Sequence, residues 1–294
     1  VRVQKKQETS RERKVTYFRK ESTVCPVCDK PFQREELFQG RVNAAEMTDE
    51  LHRKYSPMAA YGEVHPLIYP PAVCPNCYFS VFPQDFDALS PKLRQPLYDS
   101  IAARIDSVSA LFPKGLDFAS PRRLQEGAAS YFLMMQCYDV FPDKDSPVIK
   151  QAIASIRASW LFDELHKKLP GQNYDYVARL FMNKARFLYQ RSLELDTRGK
   201  QSLQAVKFLG PDADNNYGYD GVLYLSAVLE MKYGQKDDAA RRAKKLDYFA
   251  CAIAKMFGLG KKTKAKPGPL LERARDLYER LKAELGGVVS DEEA

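Results

Sequence analysis

Two CPxC pairs constrain this chain more than any other feature. Cys25-Pro26-Val27-Cys28 and Cys74-Pro75-Asn76-Cys77 are separated by 45 residues. Cysteines two residues apart in a tight turn place their sulfurs about 3.5–4 Å from each other, and two such turns supply four thiolates at the ~2.3 Å bond length of a tetrahedral zinc site. Proline behind the first cysteine fixes φ and pre-sets each turn. The other readings of these cysteines are weaker. A disulfide scaffold belongs to chains far shorter than these 294 residues. A redox CxxC opens a helix after a parallel strand, which neither pair does, and four reduced, metal-free thiols remain the bland alternative. The expected centre is one Zn²⁺ held by Cys25, Cys28, Cys74 and Cys77. A closed set of this kind leaves no open coordination position, so the metal is expected to be structural rather than catalytic.

The interval between the pairs exceeds the roughly 15–20 residues of an ordinary zinc ribbon. An insertion accounts for it, because loop-closure cost grows slowly with length. His52 and His65 fall inside the insertion and are candidates to replace a cysteine or orient a ligand, although a structural or surface role is simpler for each. Asp29 and Tyr78 stand where zinc knuckles usually carry glycine, which predicts a different arrangement of the amides that donate to sulfur. Lys20, Lys30 and Arg34 are near in sequence and are candidates to offset the negative charge of the centre. The two remaining cysteines, Cys137 and Cys251, sit alone in apolar helical patterns.

Composition shifts along the chain divide it. Residues 1–20 carry eight Lys/Arg against Glu8 and Glu12, and read as a basic, flexible N-terminus. Residues 21–90 hold the cysteine pairs, a concentration of prolines and short β-prone pieces, and read as a compact loop-rich module. Val15-Thr16-Tyr17-Phe18 and Leu67-Ile68-Tyr69 are the candidate strands, with 38–42 a weaker one. From Pro91 the apolar period becomes helical. Leu93, Leu97, Ile101, Ile105, Val108 and Phe112 share a face. Ser120-Pro121 and Ser146-Pro147 are helix-start signals. The first opens a helix apolar nearly all round (Leu124, Ala128, Tyr131, Met135, Tyr138, with Leu133, Met134 and Cys137). The second opens a stripe of Ile149, Ile153, Ile156, Trp160 and Leu165. Further helices are predicted over 174–196, with Val177, Leu180, Phe181, Ala185, Leu188 and Ser192 inward, then over 219–233 and 237–257 around Gly234-Gln235, and over 270–285. The result is a mainly α chain of seven helices: a zinc-ribbon-like β/loop module over 21–90, an all-helical body over 91–286 and an acidic tail over 287–294. Ala185, Tyr189, Ser192 and Leu193, then Ala227, Gly234 and Ala239, match the small and aromatic positions of tetratricopeptide hairpins, with an unrelated helical bundle as the alternative. If the module is separable, Cys25→Ser or Cys77→Ser lowers zinc content and leaves most helicity intact.

These residues resemble an uncharacterised bacterial family classed as a domain of unknown function. The resemblance rests on CPVC followed by Lys30 and Phe32, then the approach Tyr61-Gly62-Glu63-Val64-His65-Pro66-Leu67-Ile68-Tyr69 to the second CPxC. That pair continues as Cys77-Tyr78-Phe79-Ser80 and closes on the aromatic-acidic stretch 82–86. The specific match covers about residues 22–90, while the helical part is similar only in pattern. The family is similar to zinc-ribbon modules joined to tetratricopeptide-like helices and implies no established activity. Its members usually carry small residues after the last cysteine, so Tyr78 and Phe79 depart from the pattern.

Charge and motifs bound the function. The formal net charge is +8, concentrated in the N-terminal segment and in Lys261, Lys262, Lys264 and Lys266, while Asp291, Glu292 and Glu293 end the chain. No stretch reaches the ~20 apolar residues of a membrane span. The run 212–218 lacks the glycine and glutamate of a calcium loop, and 258–262 lacks the first glycine of a phosphate loop. The first reads instead as a polar loop between helices. His166 lies in a charged helical stretch and is expected to face solvent. No HExxH, GxSxG or GxGxxG element occurs and no nucleophile–base pair can be named, so no enzyme is expected. The leading expectation is a cytoplasmic zinc-binding adaptor or scaffold whose helical-repeat-like surface takes a protein or peptide partner. The alternative is a nucleic-acid-binding zinc-ribbon protein that uses its basic N-terminus on nucleic acid or another anionic surface.

Overall fold

Prolines keep the segment before Pro83 from building long ladders, since each removes an amide donor. Strands there are short and pair two by two, all antiparallel: β1 (Thr16–Phe18) with β4 (Glu35–Leu37), β2 (Thr23–Val24) with β3 (Pro31–Phe32), β5 (Asn43–Met47) with β6 (Arg53–Ser56), and β7 (Ala72–Val73) with β8 (Ser80–Val81). Leu67-Ile68-Tyr69 is not a strand. Pro66 opens a 3₁₀ turn over Pro66–Ile68, and Pro70 and Pro71 take away the next two donors. The 38–42 segment is the turn between β4 and β5, with Gly40 at φ +72°. The computed structural model describes residues 14–260 and 268–292, apart from the side chains of 257–260 and 287–292.

Helices account for most of the rest: α1 (Pro83–Asp87), α2 (Pro91–Asp99), α3 (Ile101–Leu111), α4 (Leu124–Tyr138), α5 (Pro147–Lys168), α6 (Tyr174–Thr197), α7 (Gly218–Tyr233), α8 (Ala239–Gly260) and α9 (Gly268–Glu292). Two boundaries differ from the sequence expectation for visible reasons. The apolar face from Leu93 to Phe112 spans two helices, because the Ser100 hydroxyl donates to the Pro96 and Leu97 carbonyls at 3.0 and 3.2 Å and turns the chain. Ser120-Pro121 does not start α4. Arg122 donates both its amide and its guanidinium to Glu35, which holds it outside the helix. The start moves to Leu124, where Glu126 reaches back to the Arg123 amide at 3.0 Å.

The core sits on α4 and α5. α4 is buried nearly all round, as its sequence requires, and the α5 stripe of Ile149, Ile153, Ile156, Trp160 and Leu165 is buried throughout. Each helix from α4 to α9 packs against the next. The α5–α6 connection is only a few residues long, which makes those two long helices antiparallel neighbours. Leu180 faces out at 51% exposure, not inward, and Cys251 is exposed whereas Cys137 is fully buried.

The strand-rich segment is fastened to this core at several points. A β-carbon at Gly127 would stand 2.8 Å from the Ile68 side chain, so only glycine lets α4 approach the 3₁₀ turn so closely. The Tyr131 hydroxyl donates to the Leu67 carbonyl at 2.9 Å and Ser80 Oγ to the Ser130 carbonyl at 2.8 Å. One apolar cluster runs from Cys25 to Leu281. No described helix is long and apolar enough to cross a membrane.

Candidate metal centre

Each CPxC pair occupies the turn of a short hairpin, the first between β2 and β3 and the second between β7 and β8. The two turns repeat the same hydrogen bonds. The Cys25 amide donates to Lys30 O at 3.0 Å and the Asp29 amide to Cys25 O at 3.0 Å; the Cys74 amide donates to Phe79 O at 2.9 Å and the Tyr78 amide to Cys74 O at 3.0 Å. Asp29 and Tyr78, the residues in the glycine positions, both adopt the left-handed conformation, with φ of 57° and 56°. Both turns therefore take a left-handed residue without glycine, at a backbone cost of about 1–2 kcal/mol per position. Local contacts offset it. Asp29 pairs with Arg94, and the Tyr78 ring packs edge-on against Phe118. A β-branched side chain cannot take this conformation without further strain. Asp29→Val is expected to lower stability by about 1–2 kcal/mol in urea denaturation, while Asp29→Gly leaves it near wild type.

The four sulfurs converge. All lie within 4.8 Å of one another, with Cys25 Sγ 3.6 Å from Cys77 Sγ and Cys28 Sγ 3.6 Å from Cys74 Sγ. A tetrahedron with ~2.3 Å metal–sulfur arms has edges of about 3.8 Å, whereas a disulfide needs ~2.05 Å. The spacing matches four ligands around one ion and rules out S–S bonding as the reason for their proximity. Cys25, Cys74 and Cys77 are buried and Cys28 is half-buried. By themselves these thiols cannot all ionise. Hydrogen bonds from Cys25 and Cys77, with backbone donors at Cys77 and Asn76, hold Cys74 down to about 2. Cys74 in turn pushes Cys25 up to about 12, and Cys77 is raised by its bonds to Cys25 and Cys74. A dication at the centroid would let all four become thiolates.

A buried cation that sequence proximity does not reveal bonds to the backbone of the centre. Arg104 on α3 is 2% exposed and donates Nε and Nη2 to the Cys77 carbonyl at 3.3 and 3.1 Å, while Nη1 donates to Ser100 Oγ at 2.6 Å. Lys20 and Lys30 are exposed. Arg34 pairs with Asp87 and lies over the Phe86 ring. The only advance sign of Arg104 was a basic residue set among the apolar positions Ile101, Ile105 and Val108.

Neither candidate histidine joins the sulfurs. His52 Nδ1 lies 2.6 Å from Asp212 Oδ2, and its ring stacks on Trp160 at 4.1 Å. His65 lies beside Glu63 and Glu164, and burial pulls its ring below the usual histidine value. His166 is half-buried, 3.8 Å from Asp175, rather than fully solvated. The 212–218 segment is more than a polar connection, because Asp212 is fully buried and also accepts from the Arg53 and Ala213 amides at 2.9 and 2.6 Å. Burial opposes its charge, yet the bonds from His52 and Ala213 keep its carboxyl below the usual range. The run 258–262 lies partly outside the described residues.

Residues 18–281 match the family described as an uncharacterized protein conserved in bacteria, DUF2225. The chain belongs to this family. The DUF2225 match extends the 22–90 resemblance through the helices into α9, so the cysteine centre and the helical body are parts of one family unit. A relative from Borreliella burgdorferi, described only as an uncharacterized protein, is 39% identical over 275 residues, covering 93% of this chain and 98% of that protein. No solved structure matches the chain.

Proposed function

We propose that Cys25, Cys28, Cys74 and Cys77 hold one Zn²⁺ as a closed, non-catalytic, zinc-ribbon-like centre, and that the helical body is the interaction surface of a cytoplasmic adaptor. The observation that carries the metal reading is the 3.6 Å spacing of paired sulfurs from opposite hairpins. An all-thiolate tetrahedral set suits Zn²⁺ among the common divalent ions. Four protein ligands leave that ion no position for substrate.

The interaction reading draws on the helices. Serial packing from α4 to α9 is compatible with tetratricopeptide-like hairpins, whose stacked helices offer extended surfaces to partners. On α6, Tyr176, Leu180 and Phe187 are 56%, 51% and 62% exposed, and their spacing puts them on one side of the helix. Such a stripe of large apolar side chains fits an amphipathic segment of a protein partner. The nucleic-acid alternative relies on the basic segment 1–20 beside the cysteine module; of its cations Lys14, Arg19 and Lys20 are exposed, and those in 1–13 lie outside the described residues.

Elemental analysis of the full chain should give one zinc per molecule. A pull-down after nuclease treatment should return a stoichiometric protein partner that is lost in Leu180→Glu and Phe187→Glu. Metal-free protein defeats the first half of the reading. Salt-sensitive binding to unrelated RNA and DNA, unaffected by those two substitutions, would favour the alternative.

A further inference from the structure

Away from the cysteines, one other group of metal-ligating side chains converges among the described residues. Ligand atoms of Glu63, His65 and Glu164 all lie within 4.8 Å of one another. Glu63 and His65 come from the segment that leads from β6 to the 3₁₀ turn, and Glu164 comes from the last turns of α5. They line a cavity of about 160 Å³ whose other walls include Trp160, Leu161 and Lys54. His65 Nε2 is shielded from solvent and makes no hydrogen bond. It is 3.3 Å from a Glu63 oxygen but poorly aligned with it. A buried polar nitrogen without a partner costs about 1–3 kcal/mol, so its place beside two carboxylates calls for an occupant that a cation would provide.

We infer that Glu63, His65 and Glu164 form a second cation site, independent of the cysteine centre, which takes a divalent first-row metal through one imidazole and two carboxylates. Mixed nitrogen and oxygen donors suit Mn²⁺, Fe²⁺ or Zn²⁺ and discriminate against Mg²⁺, which prefers all-oxygen shells. Three protein ligands leave positions for water, unlike the closed cysteine set. Glu63 is 44% exposed, so those positions face solvent. Lysines restrain the affinity: Lys168 pairs with Glu63 through Oε2, and Lys167 and Lys54 approach Glu164 at Oε1, at 2.8 and 3.9 Å. Glu63 Oε1, the oxygen nearest His65, is the one these lysines do not take. The site therefore competes with ion pairs for its carboxylates, and its strength is set partly by Lys168.

The test is a Mn²⁺ titration of the chain loaded with one equivalent of Zn²⁺, enough for the thiolates alone, and freed of excess metal, read by loss of the free-Mn²⁺ electron paramagnetic resonance signal. Mn²⁺ is a poor match for an all-thiolate set, so the readout isolates the new site. One Mn²⁺ per chain with micromolar affinity is expected. His65→Ala and Glu164→Gln should each weaken binding about tenfold or more, and Lys168→Ala should tighten it several-fold. Unchanged far-UV circular dichroism identifies folded variants, and the near-isosteric Glu63→Gln and Glu164→Gln carry the test if His65→Ala does not fold. No binding by the wild type below millimolar Mn²⁺, or equal binding by wild type and both glutamine variants, overturns the inference.

Discussion

If the cysteine centre holds zinc as proposed, Cys77→Ser is expected to abolish zinc binding and to lower the thermal midpoint by on the order of 10 °C. Structural zinc contributes ~10–16 kcal/mol in small peptides, as much as the ~5–15 kcal/mol net stability of a typical domain. Retaining even a third of that contribution here gives several kcal/mol, at roughly 2–4 °C for each in a chain of this size. The damage should not stop at the hairpin. The Cys77 carbonyl is the acceptor for two guanidinium nitrogens of the buried Arg104, and a disordered turn leaves that charge without its partner. Ser80, three residues on, donates its amide to Cys137 Sγ on α4 at 3.4 Å and its hydroxyl to Ser130 O. Melting followed at 222 nm should therefore show partial loss of helix from α2 and α3 as well as a lower midpoint. Cys28→Ser is the informative comparison, because Cys28 is half-buried and, among the described residues, Arg104 bonds to the carbonyl of Cys77 rather than to that of Cys28. It should release the metal with a smaller loss of ellipticity. A Cys77→Ser midpoint equal to wild type, with chelator making no difference to either, would mean that the centre does not stabilise the fold.

That expectation revises the separable module inferred from composition. Proline and cysteine content changes sharply near residue 90, and a linear reading takes such a change for a physical boundary. In three dimensions Gly127 against Ile68, Arg104 on Cys77 and Asp212 on His52 all cross it. None of these pairings has a local sequence signal, because each joins residues tens of positions apart. Helix faces were legible, since burial follows a short period that four or five residues reveal. The convergence of the four cysteines was legible because two CxxC pairs have the spacing that a four-thiolate metal set requires.

Boundaries were read less well, and the reasons are specific. Ser120-Pro121 carries the right local chemistry for a helix start, but a distant carboxylate, Glu35, claims Arg122 first. Leu67-Ile68-Tyr69 has strand propensity, yet the prolines on either side deny it a ladder. The missing glycines at Asp29 and Tyr78 misled in the other direction. Their absence pointed away from a left-handed backbone at those positions, whereas the turns impose one and the side chains tolerate it. The Glu63–His65–Glu164 group could not be assembled in advance, because its third member lies on α5, about a hundred residues from the first two.

Arg122→Met is expected to destabilise the protein by about 3–5 kcal/mol, the cost of stranding one member of a buried ion pair. Arg122 and Glu35 are 9% and 7% exposed. Glu35 Oε2 accepts from the Arg122 amide at 2.9 Å and from Nε at 3.2 Å, and Oε1 accepts from Thr16 Oγ1 at 2.6 Å. The rest of the guanidinium donates to the carbonyls of Pro71, Tyr69 and Glu35 at 2.9, 3.1 and 3.3 Å. One side chain thus joins β1, β4, the approach to the second CPxC pair and the entry to α4. Lysine cannot substitute, having neither the planar fork nor enough donors. Removing both charges should be far milder than removing one, because two apolar side chains leave no buried ion behind. The double variant Arg122→Met/Glu35→Leu is therefore expected to be more stable than Arg122→Met alone, with a coupling of about 0.5–3 kcal/mol in a urea-denaturation cycle. Additive single and double effects would show that the two residues act separately. Since Glu35 and Arg122 touch no sulfur, all of these variants should still bind one equivalent of zinc while folded. That separates the strength of the scaffold from the occupancy of its metal centre.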